Sequence, residues 1–373
     1  AINKHLTTTD TKYQNIQIHL DEIYWKLLSN SPLTNDDIDF LQSTSDNHFH
    51  PTLHIAAKLV YARYLLSIES INDVTSILNR VEAFIQWDHS RILELYIGTT
   101  TYYDLSVNNY HKILQREAEQ QASHFLKKAT TFERANYEYH LAFAAHRSYA
   151  FPLAFSYIKK AESTFSHMYK PLFQLKLYSM KGVILNALGN YQQALTEYEA
   201  GIDLLTNVPQ IASPQQWASI YNNIAFCYES QKQFLEALMY YEKSLHELED
   251  LHVVINCMRT NLRTKNITAV QQLQRQYPKS TFTIEHHLCQ WDLIYLLTSS
   301  HEVQQADFTK MENEAFTSFE QQQHYELILS YAPLFAHYYE ERSIYKRASF
   351  CYKLAFNASE TIRKQVNDSE VLI

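Results

Sequence analysis

Small and aromatic side chains recur along this chain at a fixed offset. In LYSMKGVILNALGNYQQALTEYEAGIDLL, Gly182 is followed twelve residues on by Ala194, then by Tyr198 and Gly201. A later segment, SIYNNIAFCYESQKQFLEALMYYEKSL, repeats the order with Ala225, Ala237, Tyr241 and Ser244. Ala142, Ala154, Ile158 and Ala161 keep the spacing upstream, as do Ala336, Ala348, Tyr352 and Ala355 downstream. Looser copies lie at Ala62 with Val74, around Ala122 and Ala129, and around Cys257 with Ala269, while residues 283–318 are apolar at helical spacing but match loosely. Such periodicity predicts pairs of amphipathic helices. A small residue on one helix facing a small residue on the next lets two backbones approach, and the ring four positions later fills the gap toward the following pair.

The quoted residues resemble the tetratricopeptide repeat in their small-to-aromatic signature. At a period of about 34 residues the chain holds about nine helical hairpins. Each hairpin leaves one apolar face open, so stacking is expected: an all-α, right-handed superhelix with a concave inner surface. Turn chemistry clusters at SNSPLTNDD, DNHFHP, TNVPQIASP and YPKST, and the longest insertion runs from Thr206 to Pro214. The expected organisation is a degenerate first hairpin in residues 1–50 and a ligand-binding solenoid in 51–373.

Composition agrees with helices. Only 4 glycines and 8 prolines occur in 373 residues, which disfavours sheets and glycine-rich phosphate loops. With 28 Tyr and 19 Phe the chain has ample bulk for a core. A net charge of −8 with scattered Lys and Arg makes a poor nucleic-acid surface. No apolar run approaches the ~20 residues of a membrane span, and no signal-peptide pattern opens the chain, so a cytoplasmic location is expected. Cys227, Cys257, Cys289 and Cys351 lie far apart, which fits buried reduced thiols. Neither His48, His50 and His54 nor His286, His287 and Cys289 have the spacing that holds zinc, and no nucleophile with a positioned base can be nominated. No metal, cofactor or catalytic residue is therefore expected.

The first helix of each hairpin should line the concave surface. With Ala225 at the packing position, Asn222, Asn223, Phe226 and Glu229 fall on or beside the inner face. An amide offers both a donor and an acceptor, so Asn223 can pair with the backbone of an extended peptide without reading its side chains. The same alignment brings Lys176, Ser179, Val183 and Asn186 inward on one hairpin and Asn136, Tyr139, His140, Phe143, His146 and Arg147 on another, with Arg63 and His337 toward the ends. Mixed polar groups and a few rings suit a short peptide.

YNNIAFCYESQKQFLEALMYYEKSL, AHYYEERSIYKRASFCYKLAFNASETIRKQV and LYIGTTTYYDLSVNNYHKI resemble segments of the Gram-positive cytoplasmic peptide-pheromone receptors, the group of Rap, NprR and PlcR. The likeness runs through most of residues 90–365. It implies reception of a re-imported signalling peptide, with Asn223 matching the asparagine that holds the peptide backbone. It also implies a quorum-sensing output controlling transcription of the sporulation or extracellular-protease type, through a change of conformation or homo-oligomeric state. NprR-like and PlcR-like members carry a helix-turn-helix domain ahead of the repeats, whereas Rap-like members carry a three-helix bundle that engages a response regulator. Residues 1–50 fit neither closely. The expectation is an NprR-like receptor without its DNA-binding domain, with two alternatives: a Rap-type protein acting on a response regulator, for which Gln42 is the candidate water-orienting residue, or a tetratricopeptide scaffold.

Overall fold

A computed structural model describes residues 2–46, 51–85, 91–119, 129–299 and 304–370. Among these lie eighteen α-helices and no strand. They are α1 (Ile2–Leu28), α2 (Asn35–Asp46), α3 (Pro51–Ser67), α4 (Ile71–Glu82), α5 (Arg91–Ser106), α6 (Tyr110–Ala118), α7 (Thr131–Arg147), α8 (Phe151–Phe165) and α9 (Pro171–Ala187). There follow α10 (Tyr191–Asn207), α11 (Pro214–Ser230), α12 (Phe234–Glu247), α13 (Leu251–Arg263), α14 (Ile267–Gln276), α15 (Glu285–Thr298), α16 (Gln305–Gln321), α17 (Tyr325–Glu340) and α18 (Tyr345–Glu370). The fold is all-α and built from helical hairpins of the tetratricopeptide type.

Helices turn back on one another through a recurring closure. Residues Asn30, Glu69, Asn108, Tyr149, Gly189, Lys232, Lys265, Gln323 and Ser343 all take φ between 52° and 77°, and eight of these nine are not glycine. Behind Gly189 the amide of Asn190 bonds the carbonyl of Leu185 at 2.8 Å; Gln233 to Tyr228 (2.9 Å) and Asn266 to Asn261 (2.9 Å) repeat this six-to-one bond. That is the Schellman closure, whose hydrogen bonds offset the steric cost of a left-handed L-residue. Turns from Glu69 to Lys232 come about 40 residues apart, longer than the ~34 of the standard repeat. One cause is the insertion after α10, which forms a 3₁₀ turn at Pro209–Ile211 before Ser213 caps α11 by accepting from the Gln216 amide at 3.4 Å.

Two compact units divide the chain, one of Ala1–Ser148 with Leu153–Tyr169, the other of Tyr149–Pro152 with Lys170–Ile373. The helices before residue 50 belong to the same unit as α3 and α5, and the division between units falls near residue 170. In the second unit the small-residue offset does what packing asks of it. Ala225, Ala237 and Tyr241 form one buried cluster with Val253 and Cys257 of α13, so the ring bridges its hairpin to the next. A Cβ built on Gly182 would lie 2.4 Å from Cε1 of the buried Tyr198, so α9 and α10 meet at a distance only glycine permits. Tyr352 departs from the pattern: Ala348 is buried, yet the Tyr352 ring is 45% exposed. Tyr331, Phe335, Tyr339 and Phe319 anchor a larger core shared by α13–α18. Three of the four cysteines are buried, Cys289 is half-buried, and all are free thiols.

Candidate functional site

In the second unit the first helices of successive hairpins are joined by side-chain polar bonds. Asn186 on α9 donates to the Ser230 hydroxyl of α11 at 3.3 Å. Asn256 on α13 donates its amide to Oδ1 of Asn222 on α11 at 3.4 Å. Two turns beyond Asn222 on α11, Glu229 accepts twice from Arg259, one turn beyond Asn256 (Nε at 3.0 Å and Nη2 at 2.8 Å), and once from Nη1 of Arg263, two turns beyond it, at 2.8 Å. The Tyr241 hydroxyl donates to Glu229 at 2.7 Å. Arg259 passes the chain on to Gln290 of α15 at 3.4 Å, and Tyr331 of α17 donates to the same Gln290 oxygen at 3.1 Å. Arg263 also reaches the Ser330 carbonyl at 3.4 Å.

This ladder is buried at its charged end. Glu229 and Arg259 are each 3% exposed. Burial alone would raise the Glu229 carboxyl, but the Arg259 guanidinium, with Arg263 and the Tyr241 hydroxyl, outweighs it and holds the pKa below the ordinary carboxylate value. At Arg259 burial opposes the charge and Glu229 overcomes it, so the pKa rises. At Arg263 burial wins, aided by repulsion from Arg259, and the pKa falls. Two guanidinium groups share one carboxylate.

The structure sorts the expected site residues. Asn222 and Asn223 are both half-buried on α11, with Asn222 engaged by Asn256. No hydrogen-bond partner for the Asn223 amide occurs among the described residues. Phe226, one turn on, is 45% exposed. Lys176 and Ser179 on α9 are half-buried, and Asn186 is buried with its Oδ1 unpaired. Glu229 faces the neighbouring helix instead of an open surface, because the two arginines draw it in; it is a closing ion, not a free ligand-contacting group. Sequence reading passed over Asn256, Arg259, Arg263 and Gln290. The signal was present in NCMRTNLR, where Asn256, Arg259 and Arg263 repeat at three- and four-residue steps on one helix face.

The remaining expected residues, His337 apart, lie in the first unit. Arg63 is 5% exposed and stacks 3.3 Å above the Tyr102 ring as a buried cation; burial lowers its pKa, and among the described residues its Nη1 finds no partner. His140 is buried beside the rings of Tyr102 and Tyr139, each 5.8 Å away, because it belongs to the α5–α7 packing and not to an open face. Phe143 is half-buried against Tyr110, and Arg147 is exposed with its guanidinium 5.8 Å over the same ring. Gln42 is exposed on α2. His337 is exposed on α17, 3.0 Å from Glu341.

Histidines do gather in the second unit: Nδ1 of His252 lies 3.2 Å from Nε2 of His287, and the rings of His286 and His324 follow. Among the described residues no group of three or more His, Cys, Asp or Glu side chains converges as metal ligands would. His48, His50 and Ala122 lie outside the described residues. No described helix is long and apolar enough to cross a membrane.

Comparison with known proteins extends the picture. No family model matches the chain. A transcriptional activator NprA of Geobacillus stearothermophilus is 24% identical over 324 residues, 79% of this chain and 75% of that protein. Among solved structures, a Rap protein complexed with competence and sporulation factor superposes with a TM-score of 0.78 at 14% identity, covering 95% of this chain and 99% of the other. NprR in complex with its cognate peptide NprX superposes at 0.68 with 17% identity, covering 93% and 98%. The chain therefore has the fold of the Rap and NprR quorum-sensing proteins.

Proposed function

We propose that this chain is a cytoplasmic receptor for a short linear signalling peptide, held along the first helices of the second unit, and that it controls transcription in response. The observation that carries the reading is Asn223: a half-buried amide with no partner among the described residues, next to an Asn222 locked in place by Asn256. A fixed neighbour and an uncommitted donor-acceptor pair suit capture of an extended backbone, since one amide can satisfy both a peptide N–H and a C=O. Support also comes from the shared fold with two structures solved with peptides and from the NprA likeness.

Binding would act by population shift. A peptide touching several first helices favours one arrangement of neighbouring hairpins, to the extent that its affinity differs between arrangements. The reading is tested by calorimetric titration with pools of five- to eight-residue peptides. A peptide should bind the native chain, and Asn223→Ala should weaken it roughly tenfold or more, as the loss of a paired amide implies. Failure of every pool, or unchanged affinity in Asn223→Ala, would end it.

A second reading has one observation in its favour: the Rap structure superposes with a TM-score of 0.78, against 0.68 for NprR with its peptide. On that reading the chain acts on a response regulator. Loss of aspartyl-phosphate turnover in Gln42→Ala would select it over the first.

A further inference from the structure

We infer that the ligand presents a carboxylate to Arg263, so that the site selects acidic or free-acid peptides. This rests on the receptor reading and deepens it. Arg259 has the carboxylate of Glu229 on two nitrogens, Nε and Nη2, and the Gln290 oxygen on the third at 3.4 Å. Arg263 has less: among the described residues its one ion pair runs from Nη1 to a Glu229 that Arg259 already holds bidentately, and its Nη2 reaches only the neutral Ser330 carbonyl, also at 3.4 Å. The cluster therefore carries one positive charge in excess.

An excess charge in a partly desolvated place is unfavourable until an anion meets it. The depressed pKa of Arg263 is the same fact seen from the titration side. Its side chain keeps 21% of its surface exposed, against 4% for Arg259, so of the two only Arg263 can be reached. Its Nη1 and Nη2 each hold one partner already, so a carboxylate would take N–H groups that remain on the guanidinium, and a charge-assisted bond there would be among the stronger contacts available.

Position follows from helix geometry. Arg263 lies seven residues beyond Asn256 on α13, as Glu229 lies seven beyond Asn222 on α11, a rise of about 10 Å. An extended chain covers about 10 Å in about three residues, so a carboxylate within about three residues of the one held by Asn223 has the reach to meet Arg263. Either the peptide's own C-terminus or an Asp or Glu side chain can supply it.

The test uses synthetic pools of five- to eight-residue peptides retained on the immobilised full chain and quantified by mass spectrometry. One pair of pools differs only in free-acid against amidated C-termini, another only in the presence or absence of Asp and Glu. Native protein should retain the carboxylate-bearing pool of one pair roughly ten- to a hundredfold better. In Arg263→Gln, which leaves the bidentate Arg259 pair intact, that preference should vanish while some retention remains. Asn223→Ala should instead weaken retention of all pools alike. Equal retention of charged and neutral pools by the native chain, or a preference that persists in Arg263→Gln, overturns the inference and leaves the receptor reading standing. If no pool is retained, both fall.

Discussion

Replacing Glu229 by alanine should strongly destabilise the second unit. Among the described residues the carboxylate is the one anion paired with Arg259, whose side chain is 4% exposed, and it is the acceptor for the fully buried Tyr241 hydroxyl. Removing one partner of a buried ion pair costs about 3–5 kcal/mol, because the other charge stays behind without solvent. An unsatisfied buried hydroxyl adds about 1 kcal/mol or more. Together these come to roughly 4–6 kcal/mol; in a unit of roughly 200 residues each kcal/mol lowers Tm by about 2–4 °C, so a fall of roughly 10–20 °C is expected. Scanning calorimetry on Glu229→Ala and Glu229→Gln measures it. The glutamine variant, which keeps an acceptor for Tyr241, should lie between alanine and the native chain. The pH dependence has a definite sign: a carboxyl held below its ordinary value of 4.5 contributes stability present above that value and lost as pH falls below it. A Tm for Glu229→Ala within about 3 °C of the native value would refute the claim that this charge is buried and paired.

Other consequences are as direct. Gly182→Ala should destabilise by about 1–3 kcal/mol in urea unfolding, since the new methyl meets the rigid, buried Tyr198 ring at 2.4 Å. Gly201→Ala should cost less, because its 2.4 Å neighbour is Cδ1 of Ile220, a side-chain tip that can rotate away while the helix gains propensity. Burial, with His252 beside it, pushes His287 down to about 4, although Asp250 pulls the other way and His286, His324 and the Phe282 ring face it too. Its stabilising contribution is therefore full above pH 6.5 and is lost as pH falls toward 4, a drop of about 2–3 kcal/mol that His287→Gln should flatten in a Tm-against-pH series. Arg63→Met should leave stability unchanged or raise it by about 1–4 kcal/mol, because no carboxylate pairs with that buried guanidinium among the described residues. A marked loss on chemical denaturation would instead make the stack on Tyr102 the stronger effect.

What the sequence disclosed follows the range over which each feature is determined. Ala225, Ala237 and Tyr241 could be read because close backbone approach fixes residue size within one hairpin, and all three are fully buried. The turns could not. Lys232, Lys265 and Glu69 adopt left-handed backbone with no side-chain signature, their cost met by hydrogen bonds across the helix end, so a chain with 4 glycines still reverses direction many times. The site divides in the same way. Helical periodicity alone sets Asn222 and Asn223 on one stretch of α11, but the fate of Glu229 was decided by Arg259 and Arg263, 30 and 34 residues away on a helix whose repeat signature is weak. If Arg263 meets a ligand carboxylate as proposed, those arginines connect stability to recognition. The guanidinium that Glu229 cannot fully neutralise is the one left partly exposed, so a ligand anion reaching it would relieve a strain that the ion cluster itself creates. Such an anion would stabilise the second unit by mass action as it bound, and the protein's melting temperature would then report on its ligand.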